Sequence, residues 1–235
     1  MNDKILIANR GEIAIRIMQA CRDLGLDYVV VYTAADEDSE HVRLNRDSTS
    51  NSKKAWQITS YTDPNDILAV ADHTECTAIH PGYGFFSEDF RFARRVTVRD
   101  RPLTFIGPNW QVIKNLGDKI NTKKVAKSLE IPVIPGTDSP IYNEMEAEEI
   151  ADQLLDDQKS QNISKPSILV KAAAGGGGMG IEEVREIEQF RRVYRQVQNY
   201  AKRQFGDPGV LIEQCLRDYN HLEVQLLCSR HGERL

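Results

Sequence analysis

The first third of the chain alternates two hydrophobic patterns. A continuous β-branched run at residues 28–33, "YVVVYT", is typical of a parallel strand buried on both faces. A short apolar run at residues 4–8 predicts an earlier strand. Between the two runs, apolar residues recur at helical spacing on one face: Ile13, Ile17, Cys21 and Leu24. Gly25 is a natural C-terminal stop for that helix, so the pattern predicts a strand–helix–strand unit.

Two further strands are predicted in "TAIHPGYG" and "PLTFIGP", because each apolar run leads into a turn containing glycine and proline. The polar stretch at residues 43–56, "RLNRDSTSNSKKAW", predicts a loop. Together these features predict an α/β domain with an open parallel, Rossmann-like sheet over residues 1–112.

The second half of the chain is predicted to contain three helical stretches. A basic stretch at residues 112–129 predicts a helix, and the two prolines of "IPVIPG" then mark a boundary. An acidic helix is expected within residues 143–165 and a charged helix within residues 186–206.

Near the end of the chain, polar and apolar residues alternate. His221, Glu223 and Gln225 alternate with Leu222, Val224 and Leu226. This period of two predicts a strand with one polar face, followed by a hairpin turn at "RHG". Because three residues follow that turn, we expect this domain to be unfinished within the chain.

Composition narrows the class of protein. The chain has 235 residues, 40% of them hydrophobic, and a net charge of −5, which argues against a nucleic-acid or membrane-surface binder. No apolar run approaches the roughly 20 residues of a membrane helix, and we expect no leader peptide. The cysteines have no CxxC spacing: Cys21, Cys76, Cys215 and Cys228. They indicate reduced thiols of a cytoplasmic protein, with metal ligation a weaker alternative.

A glycine-rich tract follows an apolar run directly in "ILVKAAAGGGGMG". Its glycines are Gly175, Gly176, Gly177, Gly178 and Gly180. Without Cβ atoms, their backbone N–H groups can approach phosphate oxygens closely. Lys171, four residues before the tract, would add a positive charge to the same polyanion. From the residues alone, a flexible structural hairpin and a phosphate-binding lid both remain open.

Two common phosphate loops do not fit the sequence. "IANRGEIA" offers one glycine where the dinucleotide fingerprint needs three. A Walker loop requires Gly-Lys-Ser or Gly-Lys-Thr after the glycines, and neither follows them.

Over nearly its whole length the chain resembles the biotin carboxylase family of the ATP-grasp superfamily. The resemblance rests on "ILIANRGEIAIRI", "AIHPGYGFFSED", "FIGPN", "GDK", "VKAAAGGGGMG", "LIEQCL" and "HLEVQ", in this order. It implies an N-terminal α/β domain at residues 1–112 and a helical connector at 113–133. A lid would follow at 134–212, with the hinge and first strands of an incomplete ATP-grasp core at 213–235.

The resemblance also implies a nucleotide site. Lys119 of "GDK" and Lys171 would both reach the phosphates, with the glycine tract closing over them. Without the family, Lys119 would be interpreted as a solvated helix lysine. Backbone groups of "EQCL" would pair with adenine: the Gln214 carbonyl with the exocyclic amine and the Leu216 N–H with a ring nitrogen.

The remaining expected site residues surround this segment and the mouth of the site. Glu213 begins the hinge, and Cys215 would be a small apolar filler. His221 would lie beside the ribose and phosphates, although an isolated strand histidine is usually structural. Tyr83 and Gly84 would approach biotin, unless they form a simple Pro-Gly turn.

The sequence departs from the family pattern inside the lid. Met179 occupies a position that is often basic, and Ile181 and Glu182 replace a more usual Met/Arg pair. Lost positive charge there would weaken or reshape nucleotide binding.

The implied reaction uses ATP and bicarbonate to carboxylate biotin through carboxyphosphate, with Mg²⁺ or Mn²⁺. The implied partners are a biotin carboxyl carrier protein, a carboxyltransferase and a second copy of the same chain, with no nucleic acid or membrane. Metal ligands and catalytic residues are expected beyond Leu235, so we predict no turnover by residues 1–235 alone. Another ATP-grasp ligase and a non-catalytic nucleotide-binding or dimerisation module are the alternatives.

Overall fold

The fold is described from a computed structural model of the chain, over residues 3–46, 54–117, 119–174, 179–229 and 232. The chain divides into two compact units, Met1–Thr122 and Lys123–Leu235. No helix in these described ranges is both long enough and apolar enough to cross a membrane.

The first unit is built on a parallel sheet. Its strands are β1 (Lys4–Ile7), β2 (Asp27–Tyr32), β3 (Ala55–Gln57), β4 (Ala78–His80) and β5 (Thr104–Phe105). They lie in the order β3-β2-β1-β4-β5, and every neighbouring pair is parallel. The helices are α1 (Gly11–Asp23), α2 (Glu40–Arg46), α3 (Pro64–His73), α4 (Phe90–Thr97) and α5 (Trp110–Leu116). The predicted open α/β sheet is confirmed.

Both faces of this sheet are buried. Leu6 and Val31 pack with α3, α4 and α5 on one side, whereas Ile7 and Val30 pack with α1 and α2 on the other. Strands covered on both sides need apolar residues at successive positions, which explains the continuous run at residues 28–33. Helix α1 ends at Asp23, and Gly25 has φ +65°, as its place after the helix predicts.

The second unit contains an antiparallel sheet. Helix α6 (Lys119–Ser128) crosses the boundary between the units, and α7 (Glu144–Ser160) and α8 (Phe190–Phe205) belong to the second. The strands are β6 (Ile168–Ala172), β7 (Ile181–Val184) and β8 (Val210–Gln214), in the order β7-β6-β8. The acidic and charged helices predicted from the sequence are confirmed as α7 and α8.

One face of this second sheet packs on α7 and α8. Ile168, Val170 and Ala172 of β6 are buried there, while Leu169 and Lys171 point to the opposite face. The outer edge of β8 is paired by residues 135–141, since Thr137 N–H donates to the Ile212 carbonyl at 2.9 Å.

Two predictions of secondary structure were wrong in part, and a third was wrong. The basic stretch forms two helices, because the chain leaves α5 at Gly117. The stretch predicted as a loop contributes the end of α2 and the start of β3, whose buried residues Asn45 and Ala55 pack in the tertiary structure. Residues 221–226 form no strand and are exposed, because no described strand lies beside them to pair with.

Candidate functional site

A lysine pair around one carboxylate forms the centre of the candidate site. Lys171 lies on the face of β6 turned away from α7 and α8. Its Nζ is 2.5 Å from Oε2 of Glu213 on the neighbouring strand β8. The side chains are 20% and 19% exposed, so this ion pair is largely but not fully removed from water.

Lys123 of α6 approaches the same carboxylate from the other side. Its Nζ is 3.7 Å from Oε1 of Glu213 and donates to the Thr137 carbonyl at 3.2 Å. Two ammonium groups therefore share one carboxylate and leave a net positive charge, which suits an anionic ligand. Sequence reasoning missed Lys123. The sequence feature that could have identified Lys123 is its position four residues after Lys119, which places both lysines on the same helical face.

Gly136 allows the segment carrying Thr137 to lie directly against β8. Its φ is +154°, and a Cβ there would lie 2.3 Å from the Ile212 carbonyl oxygen. Thr137 then pairs twice with Ile212: its N–H donates to the carbonyl, and its Oγ1 accepts from the Ile212 N–H at 3.1 Å. A side chain at Gly136 would collide with β8 and displace Thr137, whose carbonyl accepts the hydrogen bond from Lys123.

Strands β6 and β7 flank the glycine tract in the sequence and pair with each other. β6 and β7 are antiparallel, with Lys171 opposite Ile181 and the Ala172 N–H donating to the Gly180 carbonyl at 2.9 Å. Gly180 has φ +70°. Gly175, Gly176, Gly177 and Gly178 lie outside the described residues, so their predicted contacts with phosphate stay a prediction.

The departures from the family pattern lie on and beside β7. Met179 and Ile181 are exposed, whereas Glu182 accepts a hydrogen bond from Gln196 of α8 at 3.2 Å. Glu183 is paired by Arg217, whose guanidinium also donates to the Ser167 hydroxyl. The segment after β8 is thereby tied to β7.

The predicted adenine-binding segment has one open backbone donor. The Gln214 N–H donates to the Pro135 carbonyl and the Cys215 N–H to the Ser167 carbonyl, both at 2.9 Å. The Leu216 N–H has no acceptor among the residues that the structure describes. Cys215 is partly buried. The donor that sequence reasoning assigned to a purine ring nitrogen is therefore available.

Two further predicted site residues, Lys119 and His221, are exposed. Lys119 is exposed at the first position of α6 and belongs to the first unit. His221 is 78% exposed, with Nε2 3.9 Å from the Glu223 carboxylate. The strand face predicted to carry His221 with Glu223 and Gln225 is not formed in this structure.

Tyr83 and Gly84 lie just after β4, at the carboxyl edge of the parallel sheet, where ligands of such sheets usually bind. The buried Asn9 amide donates to the Pro81 carbonyl at 2.7 Å and to the Tyr83 carbonyl at 2.8 Å. Burial lowers the pKa of His80, whose Nδ1 accepts from the Gly82 N–H at 3.0 Å. These hydrogen bonds fix the backbone, while the residue Tyr83 is 78% exposed.

A divalent metal is not accommodated by the described side chains. Within the described ranges, no group of three or more His, Cys, Asp or Glu residues could hold a metal ion. The lysine pair and open amide fit a nucleotide, but no metal-dependent step follows from these residues.

Two families together match almost the entire chain. Residues 1–113 match the biotin carboxylase N-terminal domain, and residues 118–235 match the ATP binding domain of the carbamoyl-phosphate synthase L chain. The chain belongs to the biotin carboxylase family, whose fold combines an α/β domain with an ATP-grasp domain.

Relatives and solved structures agree with this assignment. The chain is 38% identical to Biotin carboxylase 1 of Bacillus subtilis over 100% of its own length and 49% of the relative. It is 39% identical to the biotin carboxylase of Haemophilus influenzae, covering 99% of this chain and 49% of that one. The chain thus spans about half the length of the curated relatives it matches.

The solved structures that are similar to this chain include complexes with bound nucleotides. The biotin carboxylase–β,γ-ATP complex from Campylobacter jejuni has a TM-score of 0.83 at 30% identity, over 100% of this chain and 50% of that one. The biotin carboxylase domain dimer of Hydrogenobacter thermophilus 2-oxoglutarate carboxylase, with MgADP, ADP and bicarbonate, has a TM-score of 0.75 at 36% identity. That match covers 91% of this chain and 44% of that one.

Proposed function

We propose that this chain supplies the ATP-binding part of a biotin carboxylase. The observation that carries the proposal is the pairing of Lys171 and Lys123 with Glu213, on the sheet face at the start of the glycine-rich hairpin. The two ammonium groups would bind the nucleotide phosphates, which compete with the Glu213 carboxylate for the same donors.

The hinge segment would bind the purine. The open Leu216 N–H would donate to a ring nitrogen, and the Gln214 carbonyl would accept from the exocyclic amine. Phosphate contacts by Lys119, Gly175, Gly176, Gly177, Gly178 and Gly180 are part of this proposal, as is a ribose contact by His221. A closed lid would exclude water from a reactive intermediate.

The whole protein is proposed to carboxylate biotin on a carrier protein, using ATP, bicarbonate and Mg²⁺, and to work with a carboxyltransferase as a homodimer. Tyr83 and Gly84 would approach biotin. We also place the protein in the cytoplasm, a location that its four free cysteines support. Bicarbonate-dependent ATP hydrolysis stimulated by free biotin, measured on the full-length protein, tests this assignment. Hydrolysis that is unchanged by biotin would favour another ATP-grasp ligase.

Nucleotide titration of the 235-residue chain tests the lysine assignment. Isothermal calorimetry with ATP should show that Lys171→Ala lowers affinity about tenfold or more, since a charge-assisted contact to phosphate is lost. Lys202→Ala removes an exposed lysine from the last turn of α8 and is the matched control, with an expected change below about twofold. Equal affinities for Lys171→Ala and the parent chain would refute the assignment.

A second variant separates a binding role from a structural one. Glu213→Gln removes the carboxylate that competes with phosphate, so ATP affinity should rise severalfold while thermal stability falls. A variant that loses both stability and affinity would show that Glu213 mainly holds the site together.

A further inference from the structure

Helix α4 carries an exposed stripe of positive charge in the first unit. Arg91, Arg94 and Arg95 are exposed at positions i, i+3 and i+4, so they share one helical face. With Phe90 and Val98 they line an open cavity of about 280 Å³. None of these residues belongs to the proposed nucleotide site.

Two aromatic rings support these charges. The guanidinium carbon of Arg91 is 5.3 Å from the Phe90 ring centre, and that of Arg94 is 5.4 Å from the Trp110 ring centre. Lys114 of α5 also approaches the Phe90 ring, with Nζ at 5.8 Å. Both rings are partly buried against the core, so the cations make cation–π contacts with rings that are held in place by packing.

Among the described residues, no carboxylate forms an ion pair with the charges on this surface. Arg91, Arg94 and Lys114 form no ion pair with a carboxylate of the described chain. Arg95 donates instead to the neutral amide of Asn65 at 2.7 Å. Like charges at this spacing disfavour a helix, and the chain as a whole carries a net charge of −5. Arg94, Arg95 and Lys114 lie in the last turns of α4 and α5, where the helix dipole favours cations, whereas Arg91 lies in the first turn, where it does not.

We propose that the α4 basic surface, formed by Arg91, Arg94, Arg95 and Lys114, docks an acidic segment of a partner protein. Its open shape suits several carboxylates along an extended chain better than one small enclosed anion. A nucleic acid fits less well, because the two rings lie beneath cations and are not free to stack on bases.

Binding of a fluorescein-labelled octaglutamate peptide to the 235-residue chain, followed by fluorescence anisotropy, tests the proposal. Saturable binding should weaken as salt rises from about 0.02 to about 0.15 M. The double variant Arg91→Glu/Arg94→Glu should lower affinity about tenfold or more. Arg91→Gln/Arg94→Gln removes the two charges without reversing them and should lower affinity about fivefold.

The control is Arg192→Glu/Arg203→Glu in α8. It makes the same change in net charge at two exposed helical arginines, and its effect should stay below about twofold. Circular dichroism confirms that each variant is folded. Three results would overturn the proposal: no saturable peptide binding, equal losses in the α4 and α8 variants, or tighter α4-dependent binding of single-stranded oligothymidine than of the peptide.

Discussion

The two sheets of this chain bury their strands differently. In the first unit, neighbouring residues of β2 alternate between two cores, so Val30 and Val31 are both buried. In the second unit, Val170 packs on helices whereas its neighbour Lys171 points to the opposite face, where the buried Leu211 lies beside the partly exposed Lys171 and Glu213. A sheet covered on both faces offers a ligand mainly its strand ends, where Tyr83 lies, whereas a sheet covered on one face can place charged side chains along a strand.

The largest expected effect tests this difference within β6. Ile168→Ala opens a cavity between the sheet and its helices and should lower the free energy of unfolding by about 2–5 kcal/mol. Leu169→Ala, on the opposite and partly exposed face, should cost less than about half as much. Urea denaturation followed by far-UV circular dichroism measures both.

The tryptophans provide an internal control for that measurement. Trp56 and Trp110 are the two tryptophans of the sequence, and both belong to the first unit. In Ile168→Ala, the urea midpoint measured by tryptophan fluorescence should therefore shift less than the midpoint measured by circular dichroism. Equal losses for Ile168→Ala and Leu169→Ala would contradict the one-sided burial of β6.

A smaller effect is expected where the second sheet meets the segment beside β8. Gly136→Ala should destabilise the second unit by about 1–3 kcal/mol, because the new Cβ meets the Ile212 carbonyl oxygen and φ is unfavourable. Gly206→Ala is the control for backbone conformation, since its φ is +76° but no atom lies within 4 Å of the added Cβ. Thermal melting of both variants separates the steric clash with Ile212 from the strain of a positive φ. Similar losses of stability in the two variants would show that the clash at Gly136 is unimportant.

The smallest predicted effect concerns charge in the first unit. A hydrogen bond from Arg10 lowers the pKa of the buried Asp36 from its ordinary value of 3.8 to about 2. The pair therefore contributes stability above about pH 4 that is lost as the pH falls toward about 2. Because Arg10 is half-exposed and screened by solvent, we expect about 1–2 kcal/mol.

Asp36→Asn isolates this contribution. Urea denaturation followed by tryptophan fluorescence should show that the variant loses less stability than the parent chain between about pH 5 and about pH 2. Parallel pH profiles for the two proteins would show that the Arg10–Asp36 pair does not contribute.

Sequence reasoning found the elements that local pattern specifies. The run at residues 28–33 and the glycine stop after α1 predicted β2 and α1 directly. Asn45 and Ala55 escaped this reasoning, because their stretch is polar and its helix and strand depend on contacts with the rest of the first unit. The alternation after residue 220 predicted a strand, but a strand also needs a neighbour, which pattern alone does not supply.

The site was predictable to a similar degree. The glycine tract and Lys171 left a structural hairpin and a phosphate-binding lid both open, and the family resemblance favoured the lid and named Glu213 and Leu216 as site residues. Lys123 was missed, because its proximity to Glu213 is a tertiary contact between residues 90 positions apart in the sequence. Gly136 was missed for the same reason.

The segment paired along β8 also affects how the protein behaves in a crowded solution. An open strand edge is a template for another molecule, but residues 135–141 already occupy the outer side of β8. The opposite edge of this sheet is β7, a strand of four residues that carries Glu182 and Glu183. An edge of four residues offers few backbone groups to another strand, so the sheet resists edge-to-edge self-association without a covering helix.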